Sequence, residues 1–87
     1  MLIFDRFGTR QAAEDFAAAV ALEHGLDGRV CDSQEESDTH DPFPFVLTPP
    51  IVLIDRPGDD PGADNDEAVE VEVIAVVAVF GGSFAGT

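Results

Sequence analysis

The sequence is poor in positive charge, and this shortage limits the partners it can have. Its 87 residues include no lysine and four arginines against 18 Asp and Glu, which gives a formal net charge of −14. Nucleic-acid binding needs cations that displace counterions from phosphates, and adsorption to an anionic bilayer needs Lys and Arg beside an apolar face. The composition therefore argues against direct binding to nucleic acid or to membranes.

Disulfides and long hydrophobic runs are missing as well. The lone cysteine, Cys31, cannot form an intramolecular disulfide, and the longest apolar stretch, Val73–Phe80, is far shorter than the roughly 20 residues of a membrane-spanning helix. Residues 1–7 carry Asp5 and Arg6 within their apolar run, which is unlike a secretory leader. These features predict a cytoplasmic protein.

The hydrophobic content and the order of the residues predict a folded domain with an approximate internal repeat. Hydrophobic residues make up 45% of the chain, a normal value for a globular protein. Residues 2–8 (LIFDRFG) and 52–58 (VLIDRPG) both place Asp-Arg after three apolar residues and a glycine two positions later. Each copy precedes a longer helix-compatible segment. The repeat therefore indicates two related halves, each with a strand followed by a helix.

The first helix is predicted clearly and the second less so. Thr9 is a suitable N-cap and Gly25 a suitable C-terminal stop for a helix through His24. Residues 67–80 fit a strand at their start, since Val and Glu alternate over 69–73, but their apolar residues also form a helical stripe. Acidic residues before this segment and Gly81 after it favour the helix.

With short strands at 28–33 and 83–87, the element order becomes βαββαβ. This order resembles the ferredoxin-like fold at the level of topology only, and it predicts an α+β protein with a four-stranded antiparallel sheet and two helices on one face. The two Asp-Arg strands would be neighbours in the centre. We expect a single domain over residues 1–87, with an acidic and Pro-Phe-rich loop at about 34–49 and an acidic loop at about 57–66.

The two Asp-Arg motifs are the first candidate site. If the central strands pair, Asp5, Arg6, Asp55 and Arg56 would lie near the carboxyl ends of adjacent strands, at the entry to both helices. The two arginines could then clamp a small anion or a carboxylate, because guanidinium groups present a planar fork of donors. The alternative is that these residues form salt bridges that organise the strand-to-helix turns.

Apolar residues outside the expected core form the second candidate site. They lie on the sheet face away from the helices, in the Pro-Phe loop and on a second stripe of the second helix. A sheet covered on one side only would leave these residues in water, which predicts a homodimer or another protein partner, and the net negative charge makes a basic protein one candidate. The candidate interface residues are Ile3, Ile51, Leu53, Phe43, Phe45, Val71 and Ile74.

No motif indicates catalysis, a cofactor or a metal. The acidic loops lack the EF-hand order, and His24, Cys31 and His40 do not have the spacing of zinc ligands. The leading hypothesis is therefore a non-catalytic interaction module that self-associates through its open sheet face. Two alternatives stay open: an acidic mimic of nucleic acid that binds a basic groove, and a small ligand-binding domain or enzyme that uses the arginine clamp. The acidity itself could also be general solvation rather than a binding device.

Overall fold

A computed structural model describes residues 2–36, 46–55 and 66–86. It contains a four-stranded sheet in the order β2-β3-β1-β4, with every neighbouring pair antiparallel. The α+β class and the antiparallel sheet are thus confirmed, and β1 and β3, which carry the repeat, are the central strands. The strands are β1 (Leu2–Asp5), β2 (Gly28–Cys31), β3 (Ile51–Ile54) and β4 (Ser83–Gly86).

Helix α1 (Arg10–His24) has the boundaries that its capping residues predict. Thr9 Oγ1 accepts a hydrogen bond from the Ala12 N–H at 3.1 Å. At the other end Gly25 adopts φ 68°, and its N–H donates to the Ala21 carbonyl at 3.0 Å. Such a left-handed C-cap suits glycine, which has no Cβ to clash. The buried residues of α1 are Ala13, Phe16 and Val20.

The second half of the chain also forms a helix rather than a strand. Helix α2 (Asp66–Val76) continues into a 3₁₀ helix (Val77–Phe80), which ends at Gly81 with φ 84°. Val77 and Phe80, three positions apart, both face the core within this 3₁₀ helix. Val73 and Val77 are buried, and Phe80 is partly buried.

The helices pack on one face of the sheet, where phenylalanines fill much of the core. Phe16 of α1 lies edge-on to Phe4 of β1, with ring centroids 4.8 Å apart, and 5.7 Å from Phe80. This edge-to-face arrangement adds to the free energy of burying the rings. The buried residues of this cluster are Leu2, Phe4, Phe7, Ala13, Phe16, Val20, Val52, Ile54, Val73 and Val77.

The opposite sheet face was predicted to be open, and this prediction is wrong. Ile3, Ile51 and Leu53 are no more than 1% exposed within a single chain. They form a second buried cluster with Cys31 and Leu47. The physical reason is that residues 46–50, just before β3, return to this face and bring Leu47 onto it.

Hydrogen bonds of backbone groups with side chains and with other backbone groups hold residues 46–50 against the sheet. The Thr48 N–H donates to Asp5 Oδ2 at 2.9 Å, and the Arg6 N–H donates to the Thr48 carbonyl at 3.0 Å. The Leu47 N–H donates to Gln34 Oε1 at 2.8 Å. Both polar backbone groups of Thr48 are therefore bonded, which lets this segment lie against an apolar face.

Candidate functional site

The Asp5-Arg6 motif forms a structural corner at the end of β1. Asp5 is buried, and its carboxylate holds Thr48, as described above. Arg6 adopts φ 61°, a left-handed conformation that costs a non-glycine residue roughly 1–2 kcal/mol. Its N–H is thereby directed to the Thr48 carbonyl, whereas its side chain stays largely exposed. The motif thus fixes the return of the chain over the sheet.

This corner also lines an open depression of about 330 Å³, next to β4. The Arg6 guanidinium is the cationic group there, and its Nε lies 3.9 Å from Asp5 Oδ2. A buried carboxylate at that distance repels any anion that approaches the guanidinium. The depression therefore offers weak support for an anion site. Its lining residues are Asp5, Arg6, Val46, Leu47, Ser83, Phe84 and Ala85.

The second motif does not join the first. Leu2 pairs with Ile54 in the antiparallel register of β1 and β3, so Asp5 and Asp55 lie at opposite ends of this strand pair. Asp55 follows β3 by one residue, and its N–H donates to the Asp27 carbonyl at 3.0 Å. Four strand positions separate the two carboxylates along the sheet, about 13 Å at the usual rise. The prediction that the two motifs meet is wrong, because neighbouring antiparallel strands have their carboxyl termini at opposite ends of the strand pair. Arg56 lies outside the described residues.

The remaining interface candidates have different environments. Val71 is 61% exposed on α2, whereas Ile74 is partly buried and packs against the helix-side core. Phe43 and Phe45 lie outside the described residues. Of the predicted interface residues that the structure describes, Val71 is the one with a large exposed apolar side chain.

The Cys31 thiol is protected from reaction. It is 1% exposed, and burial raises its pKa, as do the nearby negative charges of Glu36 and Asp32. The positive charge of Arg29, two positions before Cys31, lowers the pKa of the thiol but does not offset the other effects. A buried thiol with a raised pKa is a poor nucleophile because little thiolate forms near neutral pH.

Arg10 at the start of α1 forms ion pairs at the protein surface. Arg10 pairs with Glu14 and with Asp32, and these hydrogen bonds raise the pKa of its guanidinium. Within residues 2–36, 46–55 and 66–86, no three His, Cys, Asp or Glu side chains are grouped as metal ligands.

A shallow groove between α1 and the end of α2 is the candidate site that the sequence interpretation missed. It encloses about 230 Å³, and most of its walls are apolar. Val79 on one wall is 81% exposed. We call this feature the helical groove; it is lined by Ala19, Val20, Glu23, His24, Val76, Val79 and Phe80.

Acidic side chains lie at one end of the helical groove, near His24. Glu23 lines the helical groove beside His24, and His24 Nδ1 lies 3.9 Å from Glu72 Oε2 of α2. Residues 73–87 carry no charged side chain, so the α2 wall beyond Glu72 is uncharged. None of the three arginines that the structure describes lines the groove. The groove thus combines an apolar floor with a negative end.

Comparison with known proteins adds no functional assignment. The chain matches no protein-family model, no curated protein and no solved structure at the significance required. In the described part of the chain, no helix is both long enough and apolar enough to span a bilayer.

Proposed function

We propose that this chain is a small acidic interaction module, without catalytic activity, that binds a basic protein. The helical groove is the observation that carries this proposal. Its apolar walls, which include the exposed Val79, provide surface that gains free energy when a partner covers it. Glu23 and Glu72 at its end favour a partner with positive charge, as does the net charge of −14.

The size of the groove favours a protein partner over a small molecule. Pockets for drug-sized ligands enclose roughly 300–1,000 Å³ and bury most of the ligand. The helical groove, at about 230 Å³, is smaller and open. It suits one or two side chains that project from a protein surface, as anchor residues do at interfaces.

A second copy of this chain is a less suitable partner than a basic protein. Self-association through Ile3, Ile51 and Leu53 would require residues 46–50 to leave the sheet, because these side chains are buried within one chain. Pairing through the helical groove would bring Glu23 and Glu72 of one copy close to the acidic surface of another. Like charges at an interface oppose association.

We also propose that the chain follows the ferredoxin-like βαββαβ plan and is cytoplasmic. The central position of β1 and β3, the edge positions of β2 and β4 and the helices on one face support the first proposal. The second is supported by Cys31, the single cysteine of the sequence, which is a free and buried thiol.

A titration against three probes tests the proposed function. The probes are a basic amphipathic peptide, a basic peptide without an apolar face, and a basic DNA-binding domain. We expect the amphipathic peptide to bind most tightly and to retain part of its affinity when salt rises from about 50 to about 300 mM, because apolar contacts are not screened. Absence of binding by all three probes at low salt would overturn the proposal.

The same titration tests the nucleic-acid-mimic hypothesis, for which the net charge is the motivation. A mimic would bind the DNA-binding domain best, would compete with duplex DNA and would lose nearly all its affinity at the higher salt. That pattern would replace the proposed function with inhibition of a DNA-handling protein.

A further inference from the structure

We infer that the helical groove receives the apolar face of a basic amphipathic helix from a partner protein. This inference rests on the proposed function and adds the binding site and the local structure of the partner. It follows from the structure of the walls, the dimensions of the groove and the position of its charges.

The walls of the groove favour a helix over other forms of peptide. They are formed by α1, by the end of α2 and by the 3₁₀ helix, and the backbone groups inside helices are already hydrogen-bonded to one another. A partner strand would find no free sheet edge there. Among the described residues of the lining, Phe80 is the one phenylalanine, whereas grooves for polyproline segments are lined by several aromatic residues. A helix needs only an apolar groove between helices, which this site provides.

The dimensions indicate how the partner helix would contact the groove. The α1 wall extends from Ala19 to His24, about 8 Å along the axis at the rise of an α-helix. This distance matches about one and a half turns, enough for two apolar side chains spaced three or four residues apart. Val79, on the wall opposite α1, is 81% exposed, so it is available to the rest of the partner's apolar stripe.

The charges determine what flanks that stripe. Glu23 and Glu72 lie at one end, and the described arginines are elsewhere. Lys or Arg on the partner helix, next to its apolar stripe, would meet these carboxylates near the protein surface. Such pairs contribute modestly to affinity and more to the rate of encounter and to orientation.

A peptide titration with matched variants tests the inference. The probe is a designed peptide of about 16 residues in which Leu forms one helical stripe and Lys the remainder, long enough to be helical when bound. We expect Val79→Ser to weaken its binding about tenfold, because a buried valine contact is lost. Val71→Ser is the matched control, since Val71 is also an exposed valine but lies outside the groove lining. We expect it to change the affinity less than twofold.

A second peptide and a charge variant complete the experiment. A peptide of the same composition, with its Leu residues distributed around the helix, should bind at least tenfold more weakly. Glu23→Gln should weaken binding of the first peptide about threefold at low salt and have little effect at high salt, whereas Asp27→Asn, beyond the end of α1, should have little effect at either. Urea unfolding of each variant confirms that it is folded.

The outcomes separate this inference from the proposed function. Equal effects of Val79→Ser and Val71→Ser, or equal binding of the two peptides, would overturn the helical groove as the site while binding itself remained. No binding of either peptide, with the basic DNA-binding domain still bound, would overturn the helical partner. A tenfold loss confined to Val79→Ser and to the rearranged peptide would support it.

Discussion

Gly82 offers the sharpest test of the packing beneath β4. This residue is buried directly before β4, and a Cβ placed on it would lie 2.4 Å from Phe7 Cε1 and 2.6 Å from Phe7 Cζ. Such separations are well inside van der Waals contact. The Phe7 ring cannot turn aside easily, because it is 3% exposed and its centroid lies 5.6 Å from that of Phe16. Gly82→Ala must therefore move either a core ring or the start of β4.

The expected loss of stability follows from two opposing effects. Inserting a methyl group into a packed core costs typically about 1–3 kcal/mol. Alanine also restricts the unfolded chain more than glycine does, which returns about 0.4–1 kcal/mol. We therefore expect Gly82→Ala to lower the free energy of unfolding by about 1–2 kcal/mol. For a domain of this size, that corresponds to a fall in Tm of about 5–15 °C.

Urea unfolding followed by far-UV circular dichroism measures this effect, since the chain has no Trp or Tyr for fluorescence. Gly8→Ala is the matched control, because nothing lies within 4 Å of a Cβ at Gly8. Gly82→Ala combined with Phe7→Leu should be less destabilised than the sum of the two single changes, since a smaller side chain at position 7 relieves the overlap. If Gly82→Ala is as stable as Gly8→Ala, the packing argument is refuted.

Three further predictions concern the cap of α1, the corner at Asp5 and the buried thiol. Thr9→Ala removes the side-chain acceptor for α1 and should lower the free energy of unfolding by about 1 kcal/mol in urea. Asp5→Ala should cost about 1–3 kcal/mol in the same assay, because the Thr48 N–H loses its acceptor, and Asp5→Asn should cost less. Cys31 has a raised pKa in the fold, so the folded state holds this proton more tightly than the unfolded state does. The contribution of Cys31 to stability should therefore be constant below about pH 8.5, the ordinary thiol pKa, and fall as pH rises above it.

Each of these predictions has its own control. Thr9→Ser keeps the hydroxyl and should retain most of the stability, so equal losses for Ser and Ala would contradict the capping role. Equal stability of Asp5→Ala and the wild type would show that residues 46–50 do not depend on this carboxylate. Cys31→Ala should remove the alkaline loss measured by urea unfolding between about pH 7.5 and 10. An unchanged slope in that variant would assign the loss to other groups.

Features that depend on neighbouring residues could be predicted from the sequence. Thr9, Gly25 and the apolar stripe between them determine α1, and all of these signals lie within one segment. The choice of helix over strand at 67–80 rested on the residues at the two ends of that segment. The repeat of the Asp-Arg motif identified the two central strands correctly, because buried central strands require continuous apolar residues.

Features that depend on distant residues were missed. The cover over Ile3 and Leu53 requires Thr48 to meet Asp5, which lies 43 positions away, and no local pattern specifies such a contact. The separation of the two Asp-Arg motifs, by contrast, already follows from the predicted antiparallel sheet, because neighbouring strands in such a sheet run in opposite directions. The helical groove could not be predicted because Val79, in the 3₁₀ helix after α2, lies outside the apolar stripe that faces the core. Its position across the groove from α1 is visible only when the helices are packed together.

The central position of β1 constrains the order of folding. Phe4 of β1 pairs with Phe84 of β4, 80 positions later, while its other neighbour is β3. Backbone groups on both sides of β1 therefore have partners only after nearly the whole described chain has been synthesised. Until then one edge of β1 lacks its partner strand, and unpaired strand edges make folding intermediates prone to aggregate. The sheet can thus be completed only as a late event in folding, when β4 pairs with the remaining edge of β1.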